Sequence, residues 1–282
     1  MIRFDQPVHA EEVREAAVAT FDGAVEVKQF GGESQMKITT QYKVEDESTD
    51  ADAEVEKMLY DSLKGFFKED ITFDEFRSTL ENPNGIISSD KVGPTMANDM
   101  KRAAIIAVII ALFVIFAYIA VRFKNWTWGL GGVVGLAHTA IIVIGFFSFF
   151  SGILPFTLDV DQTFIAAILT IIGYAINDTV VIFDRIREYK TLHPKMEFRI
   201  NANQALNSTL SRTMNTSLTT LIVMIAIAIF GGEVIRGMAV ALCLGIAIGT
   251  YASIFIATPI MYDTTMAVKK RQEAKAALAG KK

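Results

Sequence analysis

Asp178 is a carboxylate in the middle of an apolar run. The stretch Ile171–Glu188, IIGYAINDTVVIFDRIRE, begins as a membrane-like segment, is interrupted by Asn177, Asp178 and Thr179, resumes as VVIF and ends in the charged set Asp184, Arg185, Arg187 and Glu188. An ionisable side chain within a span costs at least about 2.5–3.5 kcal/mol on insertion scales, so it needs a reason to be there. Either Asp178 lies near the helix end and reaches the interface, or it is a buried, titratable carboxylate facing other helices. A second group follows at TLSRTMNTSLTTL, where Arg212 precedes Thr213, Thr216, Ser217, Thr219 and Thr220. A carboxylate, a guanidinium and a hydroxyl-rich helix at one depth form a gated proton path. The plainer alternative makes Arg212 an interfacial anchor and has the hydroxyls bond their own helix backbone. No G-x-S-x-G, Walker loop, H-E-x-x-H or Cys/His ligand set occurs, so a non-enzyme without metal or organic cofactor is expected.

The elements that must position these groups are membrane spans. Of 282 residues 51% are apolar, mean hydropathy is +0.36, and the apolar residues concentrate after position 102. Runs of about 18 or more uncharged apolar residues read as transmembrane helices. Four are clear, at Ala103–Val121, Gly129–Leu158, Thr213–Gly232 and Gly237–Tyr262, and Gln162–Phe183 is a fifth once Asp178 is accepted inside it. Asp178 lies about 24 Å along that helix from Gln162, near the far side of a layer about 30 Å thick. Gly129, Gly131, Gly132 and Gly135 open the second span with residues that permit close helix contact. Trp126 and Trp128 fit an interfacial belt. His138 lies in the second span with no evident partner and reads as a satisfied structural histidine.

Charge divides the chain at the same place. Residues 1–102 carry 12 Lys and Arg against 22 Asp and Glu, a net of −10, and the remainder is +6. An acidic domain ahead of a basic membrane domain is not a nucleic-acid binder. The single cysteine, Cys243, permits no disulfide framework. Residues 1–30 lack the apolar core of a signal peptide, so an extracytoplasmic start is expected to need a span upstream. Basic residues cluster in Arg122–Trp128, Asp184–Arg212 and the tail after Tyr262, and are sparse in Ser151–Asp161 and Gly231–Arg236. The positive-inside rule places the first set in the cytoplasm, the amino-terminal domain outside and the carboxyl terminus inside.

The amino-terminal residues read as a small α+β unit. Ile2–Phe4 resembles the end of a strand, and His9–Phe21 has helical spacing that ends near Asp22-Gly23, with His9 a solvated helix-start residue. Val25, Val27 and Phe30 alternate, Gly31-Gly32 turns, and Met36, Ile38 and Thr40 return. A helix over Asp52–Lys68 and a strand near Gly85–Ser89 complete an order that suggests a ferredoxin-like domain. The expected organisation is a domain at 1–90, a linker at 91–102 with a helix-breaking Gly93-Pro94, five spans over 103–262 and a basic tail at 263–282.

GYAINDTVVIFDRIRE, TLSRTMNTSLTTL and FGGEVIRGMAVALCLGIAIGTYASIFIATPI resemble the SecF family of bacterial protein-export membrane proteins, within the resistance-nodulation-division (RND) superfamily. The resemblance covers most of residues 90–262. It implies a cytoplasmic-membrane protein that acts with SecD, or with the SecD half of one polypeptide, at the SecYEG translocon, and draws preproteins outward using the proton gradient as its energy source. The family's proton-path aspartate and arginine fall on Asp178 and Arg212. Asn177, Thr179, Asp184, Arg185, Gly231, Gly232 and Arg236 lie in the same motifs and take supporting roles. SecF has six spans and this chain has five, so the resemblance implies the carboxyl-terminal part of a fused SecD–SecF polypeptide or a truncated SecF. Another RND exporter, of lipids or small molecules, and a passive membrane-anchored preprotein-binding domain are the alternatives.

Overall fold

The computed structural model describes residues 1–21, 25–30, 32–44, 46, 49–78, 83–89, 91, 94–150, 162–231 and 233–279. The expected turn residues Gly23, Gly31 and Gly93, the loop Ser151–Asp161 and Gly232 lie outside them. The chain separates into two compact units, Met1–Ala103 and a larger one holding Ala104–Gly231 and Ile235–Lys282.

The first unit runs β1 (Ile2–Arg3), α1 (Ala10–Thr20), β2 (Val25–Phe30), β3 (Gly32–Thr40), α2 (Thr49–Leu63), α3 (Phe73–Arg77) and β4 (Gly85–Ile86). The strands form one antiparallel sheet in the order β2-β3-β1-β4. Val27 pairs with Ile38, and Ile2 pairs with Met36 on one side and Ile86 on the other. The period-2 alternation turns Val25 and Val27 inward against Val13, Ala17 and Phe21 of the α1 region. Phe4, Phe67 and Phe76 close the other end, with ring centroids 5.1 and 6.1 Å apart. Gly85 has φ +103°, and a Cβ there would stand 2.4 Å from the Phe76 carbonyl oxygen, so this turn requires glycine. The second helix ends at Leu63 rather than Lys68; a 3₁₀ turn over Lys64–Phe66 follows. α3 is an element the sequence reading did not include. Its mark was present as Thr72-x-x-Glu75, which forms a capping box.

The second unit, in its described residues, is built of helices joined by short turns. α4 (Pro94–Arg122), α5 (Trp126–Phe150), α6 (Gln162–Leu192) and α7 (Phe198–Phe230) are followed by α8 (Glu233–Ala252) and α9 (Thr258–Ala279). A π-helical segment, Ser253–Ala257, joins α8 to α9 without a break. Five helices are long and apolar enough to cross a membrane: Asn98–Arg122, Trp126–Phe150, Gln162–Leu192, Phe198–Phe230 and the continuous Ile235–Leu278. The π segment has a local cause in Pro259, whose ring clashes with the carbonyl four residues back and which has no N–H to donate. The Thr258 hydroxyl donates to the Ser253 carbonyl at 2.8 Å across the widened turn.

The stretch Asp184–Arg212, expected as a loop, is almost wholly helical. α6 continues to Leu192 and α7 begins at Phe198, about four turns before Arg212. Hydropathy falls where the apolar layer ends, while i→i−4 hydrogen bonding carries on through soluble helix. Trp128 also departs from expectation: it is buried and stacks on Phe123 at 4.9 Å, with Phe183 edge-on, whereas Trp126 is exposed. Lys124, at φ +53°, takes the left-handed position that ends α4, and Asn125 Oδ1 accepts from the Thr127 N–H at 3.1 Å to begin α5.

Candidate functional site

The buried residues of α6 are Phe164, Ala167, Ile168, Ile171, Ile172, Ala175, Asp178, Thr179, Ile182, Phe183 and Ile186. The spacing of three and four residues defines one face, and Asp178 and Thr179 occupy core positions on it. Asn177 falls on the opposite, exposed face. α7 presents a matching stripe at every fourth position, Ala205, Thr209, Thr213 and Ser217. α8 reaches α6 through glycines. A Cβ at Gly245 would stand 2.3 Å from the Ile171 side chain, and one at Gly249 would stand 2.9 Å from Ala175. Thr250 follows Gly249 and is thereby brought to Asp178.

Asp178 is 6% exposed, and Oδ2 accepts hydrogen bonds from Ser217 Oγ at 3.2 Å and Thr250 Oγ1 at 3.4 Å. The two hydroxyls are 2.6 Å apart. Next along α6, Thr179 Oγ1 lies 2.8 Å from Ser253 Oγ, which opens the π segment and also bonds the Gly249 carbonyl at 2.9 Å. Ser217 and Thr250 join the site from the structure. Ser217 was one of the five hydroxyls after Arg212 that the sequence singled out. Thr250 was missed, although the run Gly245, Gly249, Thr250, Ser253 marks one face of the last span. Thr216, Thr219 and Thr220 bond their own helix's carbonyls, as the plainer reading expected.

Arg212 is exposed on α7 and lines a cleft of about 730 Å³ between the ends of α6 and α7, with Asp184, Arg185, Arg187, Glu188 and Ser208. Among the described residues no ion pair joins it to Asp178; five residues, or about 7.5 Å of helix rise, separate Arg212 from Ser217. Asp184 accepts from Arg187 Nη2 at 2.6 Å and Arg122 Nη2 at 3.2 Å, tying α6 to the end of α4. Both guanidinium groups lie over the Phe123 ring, at 5.2 and 5.8 Å. Arg185 pairs with Glu188 at 2.7 Å and donates to Ser208 Oγ at 3.0 Å, tying α6 to α7. Gly231 ends α7, where a Cβ would meet the Ile227 carbonyl oxygen at 2.3 Å, and Arg236 donates to the Gly231 carbonyl at 3.4 Å. His138, expected to be satisfied, has its buried Nδ1 without a hydrogen-bond partner among the described residues and its ring 6.4 Å from that of Tyr251. Among the described residues no His, Cys, Asp and Glu group has the arrangement of a metal site.

A membrane-helix bundle with one buried carboxylate, hydrogen-bonded by hydroxyls from two neighbouring helices, defines a polytopic membrane protein of the transport class. The family profile "Protein export membrane protein SecD/SecF, C-terminal" matches residues 73–267. Protein translocase subunit SecF of Rhodothermus marinus is 42% identical over 254 residues, 90% of this chain and 76% of that protein. Protein translocase subunit SecDF of Thermus thermophilus is 39% identical over 192 residues, 68% of this chain and 25% of that protein. The crystal structure of SecDF in its super-membrane-facing form superimposes with a TM-score of 0.60 at 29% identity, covering 99% of this chain and 34% of that one. The chain therefore belongs to the SecD/SecF family of protein-export membrane proteins, and spans a quarter to a third of the SecDF polypeptides it matches.

Proposed function

We propose that this chain is the SecF part of the Sec translocase accessory machinery, and that it couples proton movement through Asp178 to preprotein export across the bacterial cytoplasmic membrane. It does so as a transport subunit, without catalysing a reaction of its own. The observation that carries the reading is Asp178 itself, a carboxylate 6% exposed in an apolar helix and held by hydroxyls of two neighbours. Intramembrane ionisable groups of this kind mark ion and proton routes. Arg212, five residues before Ser217 on the same helix, is the cation that α7 brings toward the carboxylate during the cycle.

The partner is SecD, or a SecD half of one polypeptide, working with the SecYEG translocon. The exposed face of α6 supports this assignment: Thr163, Ala166, Thr170, Gly173 and Asn177 make a small and polar stripe where lipid would favour large apolar residues. In the first unit, the strand order β2-β3-β1-β4 with helices after β1 and β3 supports a ferredoxin-like domain. The loop charges favour an extracytoplasmic placement for it and a cytoplasmic carboxyl terminus.

Asp178→Asn keeps size and hydrogen-bonding capacity and removes titration. The variant is expected to assemble with SecD as the wild type does and to lose the gradient-dependent stimulation of preprotein export in inverted vesicles. Export that remains fully gradient-dependent would exclude Asp178 as the proton carrier.

A further inference from the structure

Asp178 Oδ2, Ser217 Oγ and Thr250 Oγ1 form a triangle with sides of 3.2, 3.4 and 2.6 Å. Each side needs one hydrogen, and a hydroxyl brings one while an ionised carboxylate brings none. Ser217 and Thr250 together supply two. With Asp178 ionised, one side therefore has no hydrogen. The 2.6 Å contact between the hydroxyls is the shortest, so the unfilled side is one of the two to the carboxylate. A proton on Oδ2 fills it. The carboxyl then donates to one hydroxyl, that hydroxyl to the other, and the second back to Oδ2, giving three hydrogens on three sides.

We infer that Ser217 and Thr250 are positioning residues that close a hydrogen-bonded ring only when Asp178 carries a proton, so that the proton itself links α6 to both α7 and α8. The inference rests on the reading of Asp178 as a proton carrier and names the groups that would sense its state. Two features set these hydroxyls apart. Thr216, Thr219 and Thr220 on the same helix as Ser217 spend their hydroxyls on backbone carbonyls three or four residues back. The described hydrogen bonds of Ser217 and Thr250 go to each other and to Asp178 instead. Gly245 and Gly249 supply the close approach of α8 that the short Thr250 side chain requires.

Of the other titratable and charged groups on the surrounding helices, Arg212 acts on Asp178 through its charge, without a contact. Tyr174 on α6 donates to the Thr216 carbonyl and Thr220 Oγ1, at 3.3 and 3.1 Å. Arg212 on α7 and Asp184 on α6 line the cleft, while Tyr251 on α8 and His138 on α5 lie against each other. Cys243 lies two turns before Thr250 on α8. Among the described residues none of these hydrogen-bonds Asp178. Loading takes a proton from hydronium to Oδ2 and leaves water. Release returns it to water, and each hydroxyl that accepts a proton passes one on, so Ser217 and Thr250 end unchanged.

The test is infrared spectroscopy of the full-length protein with its partner subunit in lipid vesicles, from acid to alkaline pH. The Asp178 carboxyl band is identified by its loss in Asp178→Asn. Ser217→Ala and Thr250→Val (which matches threonine in shape) are each expected to move that band, and Ser217→Thr to restore it. Gradient-driven export is expected to fall by about three- to tenfold in the first two variants, the range that one net hydrogen bond commands. A band unmoved in both variants, or no band removable by Asp178→Asn at any pH, would overturn the ring. A moved band together with export that stays fully gradient-dependent in Asp178→Asn supports the ring and overturns the proton-carrier reading, which separates the two failures.

Discussion

At the scale of single residues, buried hydroxyls divide by whether they find a partner. Thr213 Oγ1, one turn before Ser217, is buried with none among the described residues. An unpaired buried polar group costs about 1–3 kcal/mol, so Thr213→Val is expected to raise the thermal midpoint of unfolding in detergent. In the first unit the capping box of α3 gives a pH-dependent contribution. Hydrogen bonds from the Thr72 backbone N–H and hydroxyl hold the Glu75 carboxyl below its ordinary range. A lowered folded-state value means that the contribution is present above the unfolded pKa, about 4.3, and is lost as pH falls through the folded one. Glu75→Gln is therefore expected to flatten the acid side of the unit's stability–pH curve, measured by circular dichroism, and to leave its neutral limb lower. The burial of Asp178 was legible in the sequence because a charge inside an apolar run is conspicuous. Ser217 was not, because eight hydroxyls share its helix and only its contact with Asp178 distinguishes it.

At the scale of elements, α5 owes its position to glycine. A Cβ at Gly131 would stand 2.6 Å from the Ala257 carbonyl oxygen and 2.9 Å from the Met261 backbone nitrogen, and neither atom can yield without moving the helix. Gly145, on the same helix, has nothing within 4 Å. Gly131→Ala is expected to destabilise by about 1–3 kcal/mol or more, the cost of overpacking. Gly145→Ala is expected to be neutral or to stabilise by up to about 1 kcal/mol through helix propensity alone. Thermal unfolding of both variants in the same detergent checks the contrast, and equal effects would mean that the close contact is not the cause. The sequence showed that small residues open this span. It did not show which helix they meet, because the π segment that receives them depends on Pro259 and on the fit of α9 against α5. The five spans were legible from hydropathy, whereas the ends of α6 and α7 were not, because backbone hydrogen bonding outlasts the apolar run.

At the scale of the whole molecule, the distribution of basic residues among the loops predicts an orientation that two reporters can test. A reporter after Lys282 is expected to be active only if it works in the cytoplasm, and one near Thr49 only if it works outside, in a version that carries any upstream span. Activity of both on one side would overturn the five-span arrangement. The exposed stripe on α6 makes a separate prediction. A Cβ at Gly173 meets nothing within 4 Å, so Gly173→Leu is expected to leave the thermal midpoint near that of wild type and to reduce co-purification of SecD. The length of α6 has a mechanical consequence. Its 31 residues measure about 46 Å against an apolar layer of about 30 Å, so its far end stands well clear of the lipid. From Asp178 to the exposed Leu192 is a rigid arm of about 21 Å, and a tilt of ~10° pivoting at the carboxylate would sweep the tip through nearly 4 Å. A tilt of that size, set off by the gain or loss of one hydrogen bond deep in the bundle, would be a displacement large enough for a spin label at position 192 to read in the aqueous phase.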